Sequence, residues 1–376
     1  MRNLLITSQL LLFLLFAAPV QGGEGMDIPK LKDAFKGKFD VGAAINKGLF
    51  KEKGQPTLRL VADQFNSISP ESSLKWGHFN PKPGVYNYTD ADAFVEFGQK
   101  NKMYVLGHVL FWHNQTPDWV FKDKNGKTLS REQLLKRMRE RVRHLAKRYG
   151  SRIHAWDVVN EAFMDNGELR DSQWTRIIGD DFIKQAFRIA NEELPANVEL
   201  LYNDYSMYGK EKRDAVLKMI RELKQKKIRI DGVGMQGHWS VNGDYLPNIE
   251  ASIVAFSQAG VDVHITELDI DVLPRKAGMW GADVRKRFEG DASMDPYRNG
   301  LPEAKQQELA KRYTDLFQLF LKHKDKIKRV TFWGPTDRYS WLNNWPIKGR
   351  TSHPLLFDRD RKPKPAFHAV VGLKDN

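Results

Sequence analysis

His154-Ala-Trp-Asp-Val-Val-Asn-Glu-Ala-Phe163 is the stretch on which the fold turns. It reads as a buried strand over 154–159 that runs into a polar pair, Asn160 and Glu161, where the apolar pattern stops. In a parallel α/β barrel, the end of a strand is where a carboxyl group is held rigidly at the mouth of the active site. A second stretch has the same form, Val261-Asp-Val-His-Ile-Thr-Glu-Leu-Asp-Ile270, and ends its apolar run on Glu267. It lies roughly a hundred residues later, about three βα units at ~35 residues each. Two glutamates, each at the end of its own strand, are the equipment of a retaining glycosidase.

Working outward, short β-rich runs alternate with longer amphipathic ones. Strands are expected over 40–45, 67–69, 103–112, 154–159, 199–205, 232–239, 261–270 and 329–334. The helices that follow them are expected over 56–65, 89–100, 131–149, 174–193, 210–226, 247–259, 303–323 and 365–371. Eight strand-then-helix units fit an α/β fold of the closed (β/α)8 TIM-barrel type and fit a doubly wound sheet poorly. One connection is long, 271–301, rich in Gly, Arg and Asp; following the seventh strand, it belongs at the mouth of the barrel.

The chain has 376 residues, 41% of them hydrophobic and 28% charged, which calls for a globular protein with a sizeable core. No linker, low-complexity tract or short-period repeat divides it, so residues 26–376 read as one catalytic domain. Residues 1–23 differ from the rest: Arg2 supplies a positive start, 10–18 an apolar run, and 19–23 a small-residue exit. That is the pattern of a secretory signal peptide, cleaved near Gly22 or Gly23, with an apolar core too short for a membrane span. A secreted or periplasmic location is therefore expected. There is no cysteine, which excludes disulfides, thiolate metal sites, cysteine nucleophiles and a lipid anchor on cysteine. The formal net charge of +13 raises the question of nucleic acid or anionic polysaccharide. The Lys and Arg are mixed with Glu and Asp along helical stretches, as on solvated faces, and no nucleic-acid motif occurs.

Nearly every strand end carries polar or aromatic residues where a packed core needs none. Glu71 and Lys75 follow the second strand; His108, Trp112 and His113 close the third; Asn160 and Glu161 close the fourth. Asn203, Asp204 and Tyr205 end the fifth, Gln236, His238 and Trp239 the sixth, and Glu267 and Asp269 the seventh. Trp333, Asp337 and Trp341 lie on or after the eighth. A barrel's interior layers are apolar, so this concentration at one end marks a site. His154 and Trp156 are read as core, and the histidines show no paired spacing on a helix that would hold a metal.

Asp157-Val-Val-Asn-Glu-Ala, Ile265-Thr-Glu-Leu-Asp, Gly107-His-Val-Leu-Phe-Trp-His and Trp333-Gly-Pro-Thr-Asp-Arg-Tyr-Ser-Trp together resemble glycoside hydrolase family 10, mostly endo-β-1,4-xylanases. The resemblance covers essentially the whole chain from Phe39 to the Lys364-Pro-Ala-Phe end. It implies Glu161 as general acid/base and Glu267 as nucleophile, with Asn160, His238 and Asp269 in support. It also implies Glu71, Lys75, His108, Trp112, Asn203, Tyr205, Gln236, Trp333 and Trp341 as sugar-binding residues, Tyr205 beyond the cleavage point. Xylan and xylo-oligosaccharides are the implied partners of a monomer that needs no cofactor or metal, nucleic acid or membrane. A retaining mechanism needs two carboxyls about 5–5.5 Å apart, one protonated and one ionised. One departure from the family pattern is Ser72, where Asn commonly follows the glutamate; a hydrogen bond to the distal sugar is then absent or bridged by water.

Two rivals stand beside this reading. A retaining barrel enzyme that cuts mixed or cellulosic β-glucan differs in the room left near the C5 substituent, which the tryptophans after the eighth strand control. A sugar-binding barrel that has lost catalysis differs in having no activity, against which the presence of both glutamates argues. A nucleic-acid binder is a more distant third.

Overall fold

In the computed structural model, which describes residues 28–373 except 277, 280 and 282, eight parallel strands pair in chain order and close into a barrel. They are β1 (Asp40–Ile45), β2 (Ser67–Pro70), β3 (Tyr104–Gly107), β4 (Ala155–Asn160), β5 (Glu199–Asp204), β6 (Gly232–Met235), β7 (Asp262–Asp271) and β8 (Ile327–Phe332). Closure is made by β8, which pairs with β7 at Val330 opposite Ile265 and with β1 at Arg329 opposite Asp40. The outer helices are α1 (Pro56–Gln64), α2 (Tyr88–Lys100), α3 (Arg131–Tyr149), α4 (Phe182–Glu193), α5 (Lys210–Gln225), α6 (Leu246–Gln258), α7 (Glu303–Lys322) and α8 (Pro365–Val371). Residues 1–23, read as a leader, lie outside the described residues. Among those described, no helix is long and apolar enough to cross a membrane.

The longest helices form for local reasons legible in sequence. In α3 a capping box at Ser130 and Gln133 satisfies the first-turn amides. Its buried Leu134, Met138, Val142 and Leu145 recur every three or four residues, one stripe against the barrel. The single helix expected over 174–193 is in fact two, Gln173–Ile178 and α4. Gly179 separates them at φ 94°, a backbone region that ends a helix and that only glycine enters freely.

Three of the expected strands differ in a way that shapes the site. The run 103–112 is β3 followed by a separate short strand, Phe111–Trp112, paired with the end of β4. The run 232–239 is likewise β6 and then His238–Ser240, which pairs with the end of β7. Gly237, at φ 84°, makes the turn between them. The third, expected over 261–270, is β7 at Asp262–Asp271 and differs in its regularity rather than its span. Between Ile265 and Leu268, β7 spends three steps where β8 spends two, a bulge that contains Glu267. A matching irregularity in β4 falls between Asp157 and Val159, just before Asn160 and Glu161. An inserted residue bends a strand and re-aims the side chains next to it. Both glutamates therefore sit beside a break in the ladder.

The barrel core departs from the expectation of apolar layers. His264 and Arg329 are each only 2% exposed, and Ser67, Ser69 and Thr331 are fully buried. Arg329 lies across the Tyr104 ring at 4.7 Å, and the Tyr104 hydroxyl donates to Glu199 at 2.7 Å. Asp40 and Glu199 supply opposing charge near Arg329, which is how a buried guanidinium is tolerated.

Candidate active site

A cleft of about 820 Å³ opens at the carboxyl end of the barrel. Its wall includes Glu71 and Lys75 after β2, His108 and Trp112 after β3, and Asn160 and Glu161 at the end of β4. Tyr205, Gln236, His238 and Glu267 continue the wall around to β7, and Trp333 and Trp341 close it after β8. Asp269 and Asn203 lie behind this surface, 1% and 0% exposed. For Asn203 that is a correction, because the residue expected to touch sugar has its amide committed elsewhere. Its Nδ2 donates to Glu267 Oε1 at 2.8 Å and to Asn160 Oδ1 at 2.9 Å, and its Oδ1 accepts from Thr266 at 2.6 Å.

The two glutamates stand in different surroundings. Glu267 is held by an ionic chain: its Oε2 lies 3.2 Å from His238 Nε2, and His238 Nδ1 lies 3.0 Å from Asp269 Oδ1. The other oxygen of Asp269 accepts from Trp341 Nε1 at 2.7 Å. Burial works to discharge His238, yet the carboxylates of Asp269 and Glu267 outweigh it and push its pKa up to about 10. A protonated ring faces both carboxylates and donates to each. Burial likewise pushes Glu267 up, but the hydrogen bond from His238 and the fields of His108, His238 and Lys75 leave it below the ordinary glutamate value.

Glu161 has neutral donors instead, Trp112 Nε1 at 2.9 Å and Gln236 Nε2 at 3.0 Å, one to each oxygen. Its backbone is left-handed, with φ 55°, an unfavourable conformation for a residue with a side chain. Several contacts hold that turn: Glu161 N donates to Asn203 O at 2.9 Å, Arg170 Nε to Glu161 O at 2.8 Å, and Ala162 N to the Tyr202 hydroxyl at 3.1 Å. Asn160 ties the two halves together, its Oδ1 accepting from Asn203 and from Gln236 at 3.3 Å. The opposite amide orientation would set its NH2 against the NH2 groups of both neighbours, and Asn203 cannot turn to suit, being fixed by Thr266 and Glu267. On its other side the Asn160 amide lies 3.2 Å from Trp112 Nε1, beside the Glu161 carboxyl that the same indole serves.

Around this pair the remaining polar groups are braced. Lys75 is 7% exposed, 4.9 Å from the Trp112 ring. Burial lowers its pKa against the pull of Glu267, Glu71 and Glu161. Glu71 is raised by burial, against a hydrogen bond from Asn46 at 2.8 Å and the charge of Lys75. His108 gives its Nδ1 to Asp157 at 2.8 Å, which orients the ring in the wall. Trp341 stacks on Trp345 at 4.6 Å with the rings 15° apart, so one of its faces is occupied. Ser72 is not part of the wall, whereas Asn46 after β1 is. Among the described residues, no group of three His, Cys, Asp or Glu is arranged to hold a metal.

The sequence profile of glycosyl hydrolase family 10 matches residues 30–373. The chain belongs to that family. It is 44% identical to endo-1,4-beta-xylanase A of Xylanibacter ruminicola over 92% of this chain and 93% of that protein. A thermostable celloxylanase of Thermoclostridium stercorarium is 36% identical, over 92% and 87% respectively. Among solved structures, a GH10 endoxylanase from a sugarcane soil metagenome superposes with a TM-score of 0.86 at 45% identity, covering 91% of this chain and 98% of that one.

Within this family 10 site, several wall residues escaped the reading of the sequence. Asn46 follows the first expected strand directly, and its position alone was a usable sign. Trp345 sits four residues after Trp341 in a run that ends with no strand to mark it. The long connection reaches the cleft through Gly281, Val284 and Arg287, and is steadied by a small core of Met279, Met294 and Ile347. Arg170 and Thr266, which brace the site from behind, carry no sign in sequence.

The ionic chain behind Glu267 has a measurable consequence. In a His238→Ala variant the donor and its charge are gone, so burial, already the largest single influence on Glu267, meets less opposition and its pKa rises. The acidic limb of the kcat/KM profile is then expected to move to higher pH, with a fall in kcat of about 10²-fold or more. An acidic limb that stays in place in the pH profile would show that His238 does not hold the charge on Glu267.

Proposed function

We propose that the chain is a retaining endo-β-1,4-xylanase that cleaves xylan by double displacement, with Glu161 as acid/base and Glu267 as nucleophile. The observation that carries this is the contrast between the two carboxyls. Glu267 is kept ionised by a protonated histidine clamped between two carboxylates, which suits attack on an anomeric carbon. Among the described residues, the Glu161 carboxyl accepts from the indole of Trp112 and the amide of Gln236, both neutral, which suits a group that carries a proton in one step and lacks it in the next. Family membership supports the same chemistry. Asn160 and Gln236 are suited to the 2-hydroxyl of the reacting sugar; Glu71, Lys75 and His108 to hydroxyls on the glycone side; Trp112 and Trp333 to pyranose faces; and Tyr205 to the aglycone side. Asp269 and Asn203 act through His238 and Glu267. The test is proton NMR of the first product from xylo-oligosaccharide: the β-anomer is expected, and an α-anomer would overturn the retaining assignment.

The enzyme is proposed to work as a monomer without a cofactor, since one chain provides every group the mechanism uses. Residues 1–23 have the form of a signal peptide, so export to the periplasm or beyond is part of the proposal, with 26–376 as the catalytic domain.

The β-glucan alternative gains interest from the celloxylanase among the relatives. Trp341 is locked by Asp269 and Trp345, so it forms a rigid wall that yields little to the hydroxymethyl group of glucose. Aryl xylobiosides are therefore expected to exceed aryl cellobiosides in kcat/KM, by roughly 10-fold or more. Trp341→Ala should narrow that ratio while lowering activity on xylan. An unchanged ratio would mean the indole does not set the preference, and a wild-type preference for cellobioside would favour the glucanase reading.

A further inference from the structure

We propose that Arg170 is a positioning residue that couples a sugar on the aglycone side of the cleft to the placement of Glu161; this rests on the roles proposed above for Glu161 and Tyr205. The guanidinium touches both. Its Nε donates to the Glu161 carbonyl at 2.8 Å, and its Nη2 donates to Phe163 O at 3.1 Å and to the Tyr205 hydroxyl at 2.9 Å. Its backbone is also engaged, Arg170 N donating to Ala162 O at 2.7 Å. One side chain thus spans from the left-handed turn of Glu161 to an aromatic ring in the cleft wall.

Both ends of this link are built to transmit. At one end, the Glu161 backbone is held in a conformation it would not choose alone, so a weaker grip on its carbonyl lets the carboxyl drift. At the other, Tyr205 rests on the Lys212 ammonium, 3.5 Å from its ring centroid. That ammonium is fully buried and bonded to Asp204 at 3.1 Å and Asp165 at 3.0 Å. The Tyr205 backbone N–H is also fixed, by Asp204 Oδ1 at 2.9 Å. Held at its backbone and on one face, the ring keeps its freedom mainly as a tilt that is widest at the hydroxyl, and there Arg170 is attached. A sugar seated on Tyr205 would steady the ring, the guanidinium and the turn together. Binding energy from a part of the substrate that does not react is then used to align the acid.

The test compares two substrates that need the acid differently. Xylohexaose fills the aglycone side and requires its leaving sugar to be protonated. Dinitrophenyl β-xylobioside has no aglycone sugar and a leaving group that needs little protonation. Tyr205→Phe, which removes only the hydroxyl, and Arg170→Lys, which keeps the charge and loses the fork, are each expected to lower kcat on xylohexaose by about 10- to 100-fold. KM should stay within about 2-fold, and the burst rate on the dinitrophenyl substrate should be retained, since the losses are in transition-state alignment. The double variant should be no worse than the poorer single one, because both break the same link. Multiplying losses, equal losses on the two substrates, or a rise in KM alone for Tyr205→Phe would each overturn the coupling. If Arg170→Lys fails to fold by thermal melting, Tyr205→Phe decides the matter alone. Glu161→Ala serves as the reference. If it is not selective between the substrates, the acid/base reading fails; if it is selective and Tyr205→Phe is not, only the coupling falls.

Discussion

Glu267→Ala is expected to lower kcat on xylan by about 10⁴-fold or more, and azide is expected to restore turnover as an α-configured glycosyl azide. The structure gives reasons for both halves. Truncation removes the atom that bonds to the anomeric carbon and leaves a gap beside His238, which Asp269 still holds on its far side. Asp269 alone favours the charged ring, so the gap faces a cation and attracts a small anion. Azide entering there attacks from the side the carboxylate occupied, and no second displacement follows to invert the product again. The measurement is the rate with added azide and the anomeric configuration of the product by NMR. An azide product of β configuration, or none, would remove Glu267 from the role of nucleophile.

Glu161→Ala should produce a loss that depends on the leaving group. On xylan the first step needs a proton on the departing oxygen, and kcat is expected to fall by about 10³-fold or more. On aryl xylobiosides with acidic phenols the first step should proceed nearly unimpaired. The second step slows for both, because the same residue must then activate water. An aryl substrate should therefore show a burst of phenol followed by a slow steady state. The geometry makes this a clean experiment. The donors left behind, Trp112 Nε1 and Gln236 Nε2, are neutral and lie at the cleft wall, where water can satisfy them. Glu267 keeps its own partners, Asn203 and His238, untouched. Loss of the burst on aryl substrates would mean that Glu161 does more than transfer a proton.

The order of elements, the barrel and the two glutamates were all legible in the chain itself. Hydrophobic runs separated by amphipathic ones announce strand and helix through local physics, and a polar residue at the end of an apolar run announces a mouth. The expected strand over 40–45 and helix over 131–149 coincide with β1 and α3 to the residue. Local patterning could not show how the strands end. The bulge around Glu267 and the left-handed turn at Glu161 depend on what neighbouring strands impose, and no residue-by-residue preference encodes that. The same holds for Asn203. Its polar type at a strand end suggested contact with sugar, but its burial and its bonds to Glu267, Asn160 and Thr266 are properties of three strands brought together. Arg170 lies in a connection with nothing in sequence to distinguish it from other surface arginines; only the folded chain brings its guanidinium to Glu161 and Tyr205 at once. Sequence determines which chemistry is available because side-chain type is local. Tertiary structure decides which oxygen is charged, which amide is committed and which backbone is gripped, because those depend on groups far apart in the chain meeting within a hydrogen bond's length.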